Sequence, residues 1–500
     1  MTARISHDLD RTIGQISPLL FGSFLEHMGR AVYGGVYQPG SPLANEQGMR
    51  RDVLEVVRRL GPTIMRYPGG NFLSGYHWLD GVGPHAQRPR RRELAWQSTE
   101  TNQFGTDEFL EFCRQAQTEP MLGVNLGTGT LDEAAALVEY CNAAPGTYYA
   151  DMRARNGRRE PYGVRYWCLG NEMDGPWQIG HLDMDEYARK AREAAKMMKW
   201  QDPAIQLILC GSSGTGMATY PEWDRTALET CWEHVDYLSL HSYVGNREND
   251  TPSYLALASY FEDHLDTLSA TLRYVKAKLR SKHDVKLSWD EWNVWYKAQN
   301  MQGAWAEAPH LIEEVYNLED ALVVSQWLNV FLRRCDTLHI ACLAQLVNII
   351  APILTTADSV LLQSTFFPFE VFRKYAAGQS LDLLVQAPVY ANQRFGESPV
   401  LDVSGSFDPQ TGRGATFIVN RSLTEALPTD LEWKGRAPTQ TGAIFQFSGS
   451  DPKAANTFAQ PGLLQPTDLP AQPVQFGKLT LNLAPLSLTV VPWSVSPDSH

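Results

Sequence analysis

Two acids stand where apolar runs end. Val164 to Leu169 is apolar, breaks at Gly170 and continues as Asn171-Glu172-Met-Asp-Gly-Pro-Trp177. Further along, Val285-Lys-Leu-Ser-Trp-Asp-Glu291-Trp-Asn293 has the same form. A short apolar run bounded by turn residues reads as a buried strand. A strand that runs into such a break delivers its last side chains to a sheet edge, where α/β proteins build their sites. Two carboxylates on two strand ends can hydrolyse a glycoside: one protonates the leaving oxygen, and the other attacks the sugar or activates water. Either glutamate alone is an ordinary strand-end acid. The pair, and the residues around it, carry the reading.

The elements that must position these acids alternate along the chain. Apolar strands are predicted near residues 20, 63, 121, 165, 206, 237, 286 and 339. Between them lie helical patterns: apolar residues on one face over 51–60, a helix that Thr106 can cap, a Thr130/Glu133 capping box, and an Asp183/Glu186 pair at the same spacing. Further helices cover about 260–280 and 319–333. Eight strand-then-helix units predict an α/β fold, a (β/α)8 barrel over residues 19–375. A doubly wound open sheet would favour a glycine-rich phosphate loop after the first strand, and Gly22-Ser-Phe-Leu-Glu-His27 is not one. After about residue 375 the texture changes to short alternating runs between Pro- and Gly-rich turns. Residues 376–500 are therefore read as an all-β sandwich, with a long loop over 449–475. Residues 1–18 are β-like and are expected to join it.

At the C-terminal strand ends of such a barrel the sequence places Glu26 and His27, Asn71, Asn125, Asn171 and Glu172, His241 and Tyr243, Glu291 and Asn293, and Gln345. Trp96, Trp177, Trp292 and Trp295 are interleaved. Amides and carboxylates pair with sugar hydroxyls, and aromatic faces pack on the C–H face of a sugar ring. Plainer readings exist: Asn71 makes a turn, His241 is a satisfied core histidine, and Glu26 pairs with Arg66 or Arg30. If both acids serve a retaining reaction, their carboxyl groups should lie about 5–5.5 Å apart. Glu172 is then expected to hold its proton more tightly than usual, with His241, Asn171 and Tyr243 favouring the ionised Glu291.

The whole chain bounds the partners. With 43 Lys+Arg against 56 Asp+Glu the formal net charge is −13, which argues against nucleic acid. The basic run Arg88-Pro-Arg-Arg-Arg92 is short and reads as a solvated loop. No apolar stretch approaches membrane length, and the N-terminus shows no secretory h-region. Seven cysteines lack metal-type pairing, so no metal or cofactor is expected, and the thiols read as reduced and buried in a cytoplasmic protein.

Five motifs, taken together and in order, resemble family 51 glycoside hydrolases, the intracellular α-L-arabinofuranosidases. They are Phe21-Gly-Ser-Phe-Leu-Glu26-His27, Arg66-Tyr-Pro-Gly-Gly-Asn71, Gly170-Asn-Glu172-Met-Asp-Gly-Pro-Trp177, His241-Ser-Tyr243 and Asp290-Glu291-Trp-Asn293. The resemblance spans nearly the whole chain. It implies a barrel plus β-sandwich, a retaining reaction, Glu172 as acid/base and Glu291 as nucleophile. It implies sugar binding by Glu26, Asn71, Asn171, Tyr243 and Gln345, with Trp96 lining the site. It also implies arabinofuranosyl oligosaccharides as substrates and a homo-oligomer, often a hexamer. An endo-β-glucanase or another furanosidase on the same scaffold, or a non-catalytic carbohydrate-binding protein, are the alternatives.

Overall fold

The structure, a computed structural model, describes residues 2–496. Eight parallel strands close into a barrel in sequential order: β1 Gly22–Phe24, β2 Ile64–Tyr67, β3 Glu119–Val124, β4 Tyr166–Leu169, β5 Gln206–Leu209, β6 Tyr237–Val244, β7 Lys286–Val294 and β8 Leu338–Leu343. One main helix follows each: α1 Arg51–Leu60, α2 Thr106–Ala116, α3 Leu131–Asn142, α4 Met184–Gln201, α5 Glu222–Cys231, α6 Ala258–Leu279, α7 Leu318–Arg333 and α8 Phe366–Tyr375. The interior below the site is filled by side chains such as Phe24, Ile64, Met121, Ile208 and Ile340, so the barrel is a packed core and not a pore.

Helix termini follow local chemistry, with two differences from the sequence reading. Asp183 and Glu186 form a full capping box on α4. Thr130 caps α3 by accepting from the Glu133 N–H, while the Glu133 carboxylate turns to His77. Thr106 is not a cap. It is the first residue of α2, and the end is held instead by Glu108, whose carboxylate accepts from the Gly105 N–H at 2.8 Å.

The strand Ala3–Asp8 lies between Leu384–Gln386 and Leu427–Lys434 in a four-stranded sheet. Thr12–Gln15 is the edge of a seven-stranded sheet, paired with Gln379–Leu381. One face of the larger sheet packs on the smaller through Leu401, Val403, Phe407, Ile418 and Trp493. Its other face, with Phe417, Val419, Leu488 and Val490, belongs to the core of the barrel's helical layer. Phe372 of α8 stacks on Phe417 at 4.3 Å. Helix α7 lies between barrel and sheet and is buried from Leu318 to Leu332. Its sequence is accordingly apolar on every side. Its polar residues are partnered: Asn329 with Asp402 and Ser404, Gln326 with Arg421. The stretch 449–475 is a long loop broken only by the short strand Thr467–Leu469. All seven cysteines are buried and unpaired.

Candidate active site

Strict alternation along β7 would send Asp290 and Glu291 to opposite faces. They do not go there, because the register shifts between Ser288 and Glu291 against β6 and between Trp289 and Trp292 against β8. This β-bulge turns Trp289 and Trp292 together outward, onto Trp327 of α7 at 6.1 and 5.3 Å. Both acids therefore point inward. A bulge that re-aims side chains beside a site is a recurring device. Trp292, read from sequence as a site aromatic, is instead a fully buried anchor of the helical layer.

Glu172 reaches the same space from the end of β4. Its φ is +45°, following Gly170 at +84°, a left-handed conformation that costs a glutamate about 1–3 kcal/mol. The chain tolerates it because the side chain is held at both oxygens: His241 Nδ1 lies 2.9 Å from Oε1, and the Trp177 indole N–H donates to Oε2 at 2.7 Å. Glu291 accepts from Arg66 Nη1 at 2.5 Å and from the Tyr243 hydroxyl at 2.7 Å. Arg66 also donates to Asn171 Oδ1 at 2.7 Å. One ligand atom each of Glu172, His241 and Glu291 lie within 4.8 Å of one another. The positive charge beside these carboxylates is supplied by Arg66 and His241.

Electrostatics separate the two acids. Burial raises the Glu172 pKa, the charge of Glu291 adds to the rise, and His241 and Trp177 oppose it. His241 would be lowered by burial, yet Glu291, Asp290 and Glu172 together lift it to about 10, so it is an imidazolium at neutral pH. The sequence reading set His241 beside the ionised partner. In the structure its short contact is with Glu172, and Glu291 Oε2 is 3.7 Å away.

The opposite wall is built from β1, β2 and β8. Glu26 accepts from the Phe72 N–H at 3.0 Å, the Trp96 indole at 3.0 Å and Gln345 Nε2 at 3.1 Å. Gly69 and Gly70 leave room for it: a Cβ on Gly70 would stand 2.8 Å from Glu26 Oε2. Burial pushes Glu26 up to about 8 despite these donors, so it is mostly protonated at pH 7. Trp96 is presented by a tight turn in which the Glu93 carboxylate accepts the N–H groups of Ala95 and Trp96. Between the walls lies a cavity of about 450 Å³. Glu26, Asn71, Trp96, Glu172, Tyr243, Glu291 and Gln345 all line it. Asn171 and His241 lie buried directly beneath.

Three polar strand ends serve the scaffold instead. Asn125 bonds Tyr76 O, Thr128 and the Gly127 N–H. Asn293 donates to the carbonyls of Ala344 and Ile350, fixing the segment that carries Gln345. His27 is enclosed by Tyr67 and Glu100. Glu26 pairs with neither arginine proposed for it, since Arg66 is engaged by Glu291 and Arg30 by Glu313.

The chain matches two family models, the α-L-arabinofuranosidase 1 domain over residues 56–264 and the α-L-arabinofuranosidase C-terminal domain over 290–487. It is 46% identical over 494 residues to the intracellular exo-α-(1→5)-L-arabinofuranosidase of Streptomyces lividans, covering 97% of this chain and 74% of that one. A Bacillus subtilis protein of the same description is 45% identical over 493 residues, with 98% of each chain covered. This chain belongs to the family 51 α-L-arabinofuranosidases. The solved structure of a family 51 α-L-arabinofuranosidase from Bifidobacterium longum superposes with a TM-score of 0.93 at 37% identity, over 98% of this chain and 99% of that one.

In this arabinofuranosidase several residues in or beneath the pocket lay outside the candidate set drawn from sequence. Arg66 had a signal: an arginine inside the apolar run Ile64–Tyr67 must be buried, and a buried charge must be paired. Asp290 had the same signal. Ser213 to Gly216, which line the wall beside Trp177, had none. Ser213 is fixed there by Asp174, which accepts from its N–H and hydroxyl. The last wall follows β7, where the buried Glu314 accepts the N–H groups of Tyr296, Lys297 and Ala298 and so shapes the loop bearing Trp295 and Met301.

Proposed function

We propose that Glu172 is the general acid/base and Glu291 the nucleophile of a retaining double displacement that releases terminal, non-reducing α-L-arabinofuranosyl residues. The approach of the two carboxylates carries the reading. One oxygen of each lies within 4.8 Å of the other, an approach that favours the short retaining range of about 5–5.5 Å over the ~6.5–9.5 Å of inverting enzymes. Arg66 and Tyr243 both donate to Glu291, while burial and the neighbouring Glu291 charge raise the pKa of Glu172, the direction a general acid needs. Glu26, Asn71, Trp96, Tyr243 and Gln345 bind the arabinofuranosyl ring. Asn171 and His241 support it from below, through Arg66 and Glu172. A cavity walled on one side by Glu26 and Trp96 suits an enzyme that takes a chain end.

Arabino-oligosaccharides, arabinan and arabinoxylan fragments are the substrates this reading names. Relatives described as α-(1→5)-specific make that linkage the first to test. Against p-nitrophenyl α-L-arabinofuranoside and an α-(1→5)-arabino-oligosaccharide, the enzyme is expected to release single arabinose units, and to leave cello-oligosaccharides intact. Internal cutting of a β-glucan would replace the exo reading with the endo-glucanase one. Binding without turnover would replace both.

We also propose a cytoplasmic location, supported by relatives named intracellular and by seven buried, unpaired thiols. No helix among the described residues is long and apolar enough to cross a membrane. A homo-oligomer, a hexamer as the resemblance implies, is expected from light scattering as a multiple of the 56.0 kDa chain mass. A monomer mass at working concentration would refute it.

A further inference from the structure

Asp290 is the acid in the Asp290-Glu291 pair that the proposed reaction leaves without a task. It is 1% exposed and does not line the cavity. One oxygen accepts from the Ser239 hydroxyl and lies 3.5 Å from His241 Nε2. The other lies 3.4 Å from Arg66 Nε and accepts from the Cys168 thiol at 3.7 Å. Arg66 Nε and His241 Nε2 are both buried, and neither has a hydrogen-bond partner. The two cations of the site thus aim their free nitrogens at one carboxylate.

A count of charges gives that carboxylate a role. Arg66 and His241 contribute two positive charges, Asp290 and Glu291 two negative ones, and protonated Glu172 none. In the first step a Glu291 oxygen bonds to the anomeric carbon, the glycosidic C–O bond breaks, and the Glu172 proton passes to the leaving oxygen. Glu291, now an ester, has lost its charge and Glu172 has gained one. In the second step water attacks the anomeric carbon, its proton goes to Glu172, and the ester bond returns its electron pair to Glu291. The total stays at zero throughout, which suits a buried site where net charge is costly. Without Asp290 the site would carry an excess positive charge and shed a proton from the Glu172–His241 pair. Imidazole is the stronger base, so the remaining proton would stay on His241 and the acid would be lost.

We propose that Asp290 is a positioning residue for this reaction, a fixed counter-charge to Arg66 and His241 that keeps a proton on Glu172 while Glu291 is ionised. This rests on the roles proposed above for the two glutamates. The groups facing Asp290 do not compensate for it. Burial holds the thiols of Cys168, Cys210 and Cys342 protonated, that of Cys168 pushed up to about 12. Around His241, burial lowers His264 to about 3, leaving it neutral. Asp174 is also near and is engaged by Ser213.

The test compares kcat/KM against pH for Asp290→Asn and the wild type, on an arabino-oligosaccharide and on dinitrophenyl α-L-arabinofuranoside. With the oligosaccharide, the alkaline limb should move about one pH unit or more toward acid, giving a loss at pH 8 that acidification recovers. The dinitrophenyl substrate, whose leaving group needs no proton, should lose far less. A pH-independent loss shared by both substrates would overturn the proposal. Should the variant not fold, 15N-histidine NMR of the wild type serves, with His241 assigned through His241→Gln: an imidazolium to pH 8 supports the proposal, and a neutral ring at pH 7 overturns it. Glu172→Ala, run alongside, separates the two levels. If its loss ignores the leaving group, the role assignment fails. If its loss follows the leaving group while the Asp290→Asn limb stays in place, only the counter-charge fails.

Discussion

Glu291→Ala is expected to lower kcat/KM by on the order of 10⁵-fold with every leaving group, because a double displacement cannot begin without its nucleophile. No burst of aglycone should appear, even with a nitrophenolate. Added azide should restore part of the turnover by entering the space the carboxylate has left, and the glycosyl azide formed should have inverted configuration, since azide then attacks directly. The substitution also leaves Arg66 with Asn171 and the more distant Asp290. Uncoupling a buried ion pair costs about 3–5 kcal/mol, so thermal unfolding must accompany the kinetics. Glu291→Gln is the better-folding partner, since its amide oxygen still accepts from Arg66. A burst in either folded variant, or a retained azide product, would remove Glu291 from the nucleophile's position.

The barrel was legible because its eight strands are apolar and each runs into polar residues, so period and boundary agree. What the sequence could not convey was which of those polar residues face the cavity. Asn125, Asn293 and His27 stand at the same kind of position as Asn71, Gln345 and Glu26 and are taken up by backbone groups and neighbouring side chains instead. That choice depends on loop paths set by distant contacts. The bulge in β7 is a sharper case. Two adjacent acids between two tryptophans contradict the strand's period of two, and the contradiction is resolved only when Trp289 and Trp292 both meet Trp327.

Two of the eight main barrel helices were missed for different reasons. Helix α5 has Trp223, Ala227, Leu228 and Cys231 on one buried face, a helical spacing that was present and overlooked. Helix α8, Phe366-Phe-Pro-Phe-Glu-Val-Phe-Arg-Lys-Tyr375, is rich in aromatic residues of middling helix propensity and carries a proline near its start. Its form is decided by packing against Phe417 of the sandwich, a contact between residues far apart in sequence.

Glu172→Ala should behave differently from the nucleophile variant, because an acid/base acts twice and its two tasks can be separated. It first protonates the leaving oxygen and then takes a proton from water. With a nitrophenolate leaving group the first task is unnecessary, so glycosylation should proceed and the intermediate should accumulate as a burst. Azide, needing no base, should then release the sugar as a glycosyl azide of retained configuration. Natural arabinosides need the proton and should lose about 10²–10⁴-fold. The pH profile follows from the same residue. Burial and the Glu291 charge raise Glu172, so the active acid form persists as pH increases until the proton is lost, and that loss is the alkaline limb. In Glu172→Gln, assayed on an activated aryl substrate, the limb should vanish; its persistence would assign the acid to another group. A supporting role for Glu172 at the barrel mouth, through its bonds to His241 and Trp177, predicts instead lower thermal stability and equal losses for all leaving groups. If Glu172→Ala gave the inverted azide and Glu291→Ala the retained one, the two assignments would have to be exchanged.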